Sequence, residues 1–113
     1  MLLTIILSFL AGLWGANGIP HYITGVTGIA HPSPFGSSPV VNVLEGWVAF
    51  ILGGVLWHFA ALQNYPVIAY PCAALGVLVI ALVHTQVWVK NPEFYKPKSR
   101  RTWPVQNQIK EAE

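Results

Sequence analysis

Charged residues are scarce in this chain. Asp, Glu, Lys and Arg make up 9% of its 113 residues, against about 25% in ordinary soluble domains. That scarcity argues against a fold surrounded by water, and the high apolar content excludes intrinsic disorder. Cysteine is rarer still: Cys72 is alone, so no disulfide can form within the chain. There is no phosphate-cradling loop, dinucleotide fingerprint or zinc-protease helix. Neither a serine nor Cys72 has a base at a diagnostic spacing, so an enzyme is not expected. What abounds is apolar surface, with 54% of residues hydrophobic and a mean hydropathy of +0.53. So short a chain cannot enclose that much of it, and lipid is expected to cover the remainder.

The few charges are unevenly placed. Lys90, Lys96, Lys98, Arg100, Arg101 and Lys110 all follow residue 89, while Glu45 is the single formal charge before it. The pattern predicts a membrane domain over 1–89 and a basic cytoplasmic tail over 90–113, with Lys96, Lys98, Arg100 and Arg101 at lipid headgroups. Nucleic acid is not an expected partner, because the tail also holds three acidic residues and directly follows an apolar span.

Three segments, about 1–18, 40–62 and 65–89, approach or exceed the roughly 20 residues that a membrane helix needs. The first has no Lys or Arg ahead of its apolar run, unlike a secretion signal. Pro39 suits the entrance of the second, and Asn64 and Pro66 suit the N-cap and first turn of the third. Two or three residues between the last two spans predict a tight antiparallel hairpin. Pro71 would deprive the Val67 carbonyl of its donor and kink the third. The expected fold is therefore all-α: three transmembrane helices and a structured, uncharged loop over 19–39. A cytoplasmic C-terminus then places the N-terminus outside, with Trp14, Trp47 and Trp88 in one interfacial belt.

Residues equally far from Asn64 share a depth in such a hairpin. Glu45 and His84 do so, which predicts a polar intramembrane pair, since a lone carboxylate in lipid is costly. His58 and Tyr70 form a second layer. Gly54 stands one turn before His58, leaving space for a flat macrocycle, so His58 or His84 is a candidate axial ligand for a tetrapyrrole, haem or bacteriochlorophyll. A haem joining both is excluded by a depth difference of roughly 21 Å at the helical rise. Gly46, Ala49, Gly53 and Gly54 on the second span, and Gly76 on the third, provide small surfaces for helix packing. His21 and His31 from the loop fall on the same side as Glu45 and His84, a set that could bind zinc or iron, but ten residues between the two is not a recognised ligand spacing, so no metal site is expected and these histidines are read as capping turns or contacting headgroups.

The stretches Gly15-Ala16-Asn17-Gly18-Ile19-Pro20-His21, Thr24-Gly25-Val26-Thr27-Gly28, His31-Pro32, Pro34-Phe35-Gly36 and Ser38-Pro39-Val40-Val41-Asn42-Val43, with Gly46-Trp47, resemble small bacterial integral membrane proteins of uncharacterised function. The resemblance spans residues 12–50 and implies a bacterial inner membrane and an ordered loop, with no activity attached. The leading expectation is an accessory or structural subunit of a larger bacterial membrane complex, packing against membrane lipids and other membrane subunits. A tetrapyrrole-binding helical protein, possible in photosynthesis, is the alternative, and a small transporter or metal-site membrane enzyme is the third.

Overall fold

A computed structural model describes residues 1–29 and 31–88. The basic tail lies outside the described residues, and with it the headgroup contacts expected of Lys96, Lys98, Arg100 and Arg101. The described chain forms α1 (Leu2–Val26), α2 (Pro39–Phe59) and α3 (Pro66–Val83), the last running into a π-helical turn at His84–Trp88. The segments Leu2–Val26, Pro39–Phe59 and Pro66–Gln86 are long and apolar enough to cross a membrane.

Helix α1 outruns its expected end at residue 18 by two turns. The Asn-Gly-Ile-Pro sequence reads as a helix stop, yet the helix continues through Pro20. The interruption is local, because proline removes one backbone donor while the turns on either side keep theirs. Beyond it the Thr24 hydroxyl donates to the carbonyls of Pro20 at 2.7 Å and His21 at 3.1 Å. Packing against α2 holds the extension. A Cβ on Gly25 would stand 2.6 Å from the Val43 nitrogen and 2.7 Å from the Pro39 carbonyl oxygen, so the two backbones are already in contact there. His21 consequently lies on a helix rather than in a loop, and the connection shrinks to residues 27–38.

Helix α2 begins where Ser38 caps it, its hydroxyl accepting from the Val41 amide at 3.3 Å, with Pro39 in the first turn. It ends at Phe59, three residues before its expected limit. The hairpin connection is therefore the six residues 60–65, longer than the expected two or three. Tyr65, not Asn64, occupies the N-cap of α3, and Pro66 takes the first turn as expected.

The central helix is α1, which packs along both α2 and α3, while the latter two barely meet. Their ring contact, Trp57 with Tyr70 at 5.6 Å, lies near the connecting turn. Small residues permit this arrangement. A Cβ on Gly46 would come within 2.6 Å of the Tyr22 nitrogen, and one on Gly53 within 3.0 Å of the Gly15 nitrogen, both on α1. A Cβ on Gly76 of α3 would collide with the Phe9 carbonyl oxygen. With Ala49 also buried at 3% exposure, the expected packing faces are used inside the chain. Gly54 is the exception, since nothing lies within 4 Å of where its Cβ would be. Near contacts pair Gly18 with Gly46 and Gly53 with Gly15, so α1 and α2 run antiparallel. Gly12 meets Ala73, and His21 meets His84, so α1 and α3 run parallel. One end of the bundle thus gathers the end of α1, the 27–38 connection, the start of α2 and the end of α3.

Candidate metal centre

That end of the bundle gathers several buried polar side chains. His21 on α1 and His31 in the connection are 9% and 7% exposed, and Asn42 in the first turns of α2 is fully buried. His84, half-buried, opens the π-helical turn after α3. Each imidazole offers one ring nitrogen, and the three nitrogens all lie within 4.8 Å of one another. The rings of His21 and His31 meet edge-on, centroids 4.9 Å apart, and those of His21 and His84 are 6.2 Å apart. A tetrahedral ion holding all three at about 2.0 Å would draw the nitrogens to roughly 3.3 Å, a contraction within the reach of small side-chain rotations.

Asn42 organises the site. Its amide nitrogen donates to the carbonyls of His31 at 2.9 Å and Ser38 at 3.1 Å. Both partners are acceptors, which fixes the amide orientation and leaves Oδ1 facing the His21 Nδ1 at 2.9 Å. Nδ1 of His21 must therefore carry the hydrogen and donate it, which in the neutral ring leaves the lone pair on Nε2. The same reasoning fixes His84. Its Nδ1 stands 2.8 Å from the carbonyl oxygen of Ile80, a group that only accepts, so its Nε2 is likewise the basic nitrogen. Metal-ligating histidines are held this way, one nitrogen donating to a fixed acceptor while the other faces the ion.

Electrostatics favour the neutral form of His31. Burial first, then the imidazoles of His21 and His84, push the pKa of His31 below the ordinary histidine value of 6.5. Glu45, one turn beyond Asn42 on α2, places Oε2 3.7 Å from the His21 Nδ1. That oxygen is buried and accepts no hydrogen bond.

The expected Glu45–His84 hydrogen bond is not formed. His84 spends its Nδ1 on Ile80, and the imidazole nearest the carboxylate is that of His21, brought there by the extended α1. Depth matching placed Glu45 and His84 in one layer but carried no information about α1, which separates α2 from α3. His58 stands apart near the far end of α2, exposed, its ring edge-on to Phe59 at 5.2 Å. The structure brings it into no cluster with the other three histidines. Asn42 was missed as a site residue, although an amide three residues before the lone carboxylate, inside an apolar span, was a readable signal.

A cavity of about 620 Å³ adjoins the cluster, lined by His21, Glu45 and His84 together with Trp14, Phe35 and Val48. No protein-family model, curated protein or solved structure matches the chain.

Proposed function

We propose that this chain is a membrane protein that binds a divalent transition-metal ion, zinc or iron(II), through His21, His31 and His84. The observation that carries this reading is the convergence of three ring nitrogens within 4.8 Å, from three separate parts of the sequence. The fixing of the His21 ring by Asn42 and of the His84 ring by the Ile80 carbonyl supports it. Imidazole suits these ions, and three protein ligands leave a fourth position open, the arrangement of sites that act on a bound molecule rather than merely staple a fold. The metal-site reading therefore ranks above the accessory-subunit and tetrapyrrole readings. Outward apolar residues such as Val67, 84% exposed, suit lipid as well as a partner subunit, and an axial role for His58 has no gathered site around it.

The same reading turns the metal site toward the cytoplasm, supported by the six basic residues that follow residue 89, and takes the membrane to be a bacterial inner one on the resemblance over residues 12–50. Elemental analysis of protein purified in mild detergent tests metal binding. Stoichiometric zinc or iron is expected in the wild type and in His58→Ala, with loss in His21→Ala, His31→Ala and His84→Ala. Equal trace metal in all five proteins overturns the reading.

A further inference from the structure

We propose that the cavity beside the three histidines receives a lipid-soluble alcohol or phenol, whose hydroxyl oxygen becomes the fourth ligand of the ion while its hydrogen is donated to Glu45. This rests on the metal-binding reading and names the class of molecule that the site takes. The cavity's 620 Å³ falls within the range of small-molecule pockets. Its walls are mainly apolar, and two of them on α2 are outward-facing: Leu44 is 56% exposed and Val48 55%. On helices that cross a bilayer, an outward-facing wall is reached from the lipid. The occupant therefore enters from the acyl phase and carries a mostly apolar body.

The polar groups select its head. An ion held by three imidazoles asks for a lone pair. Glu45 lines the same cavity and has a buried oxygen with no hydrogen-bond donor. A hydroxyl satisfies both demands with one group. An ether oxygen supplies only the lone pair, an ammonium only the donor, and a carboxylate the lone pair but no hydrogen for Glu45. The aromatic surfaces of Trp14 and Phe35 in the wall favour a ring-bearing phenol over a plain alkyl chain.

Cobalt(II)-loaded protein in detergent provides the test, because its visible ligand-field bands report both the presence of the ion and the identity of its fourth ligand. Titration with 4-nonylphenol is expected to shift the bands saturably, while its methyl ether and nonanoate leave them in place. Glu45→Leu should keep the cobalt spectrum, because Glu45 is not one of the three ligands, yet weaken nonylphenol binding roughly tenfold or more. Bands that form but do not move with nonylphenol overturn this proposal alone. So do equal responses to phenol and ether, a stronger response to nonanoate, or unchanged nonylphenol affinity in Glu45→Leu. Absence of any cobalt band overturns the metal-binding reading as well.

Discussion

Asn42 shows how much one amide can decide. It joins the His31 and Ser38 carbonyls to the His21 ring from a fully buried position, so its loss would strand several polar groups at once. Asn42→Ala is expected to destabilise the fold by about 3 kcal/mol and weaken metal binding about 10- to 100-fold, the first read by thermal unfolding in detergent and the second by competition with a chelator. His31 sets a pH dependence. Its pKa is lowered in the folded protein, so the unfolded chain takes up a proton at a higher pH than the folded one. Stability from this group is complete above the unfolded value of about 6.5 and declines as pH falls through it toward the lower folded value. Metal-free protein should melt at a lower temperature at pH 5.5 than at pH 8, and His31→Gln should reduce that difference.

Helices reveal the limits of what the sequence made legible. The three spans, the Pro39 and Pro66 starts and the small-residue faces were readable, because length, apolar content and Gly placement are local properties. The end of α1 was not. Pro20 after Gly18 is a local stop signal, and only contact of Gly18 and Gly25 with α2 overrides it. The partner of Glu45 was lost for the same reason, since the hairpin's own arithmetic cannot place a third helix between its arms. Glycine substitutions measure that packing directly. Gly46→Ala would force a Cβ to 2.6 Å from the Tyr22 backbone nitrogen, with an expected cost of about 1–3 kcal/mol. Gly54→Ala meets open space and should leave the melting temperature unchanged or higher.

Across the described residues, three of the four histidines collect at one end of the bundle and the outward faces are apolar. The three histidines lie at the end of the bundle that also holds the π-helical turn at His84–Trp88. If the basic residues hold that side in the cytoplasm, a C-terminal fluorescent-protein fusion should be bright and a C-terminal alkaline phosphatase fusion inactive in bacterial cells. The reverse pattern would invert the orientation while leaving the bundle unaltered.

The triad draws on positions 21, 31 and 84, and that spread has a consequence for biogenesis. During synthesis the first two imidazoles are available long before the third has left the ribosome. Under the proposed metal reading, an ion meeting the nascent chain would find an incomplete grip, and firm capture would wait until the third helix is seated beside the first. Loading with metal would then mark completed assembly, and truncated chains ending before residue 84 should be recovered empty.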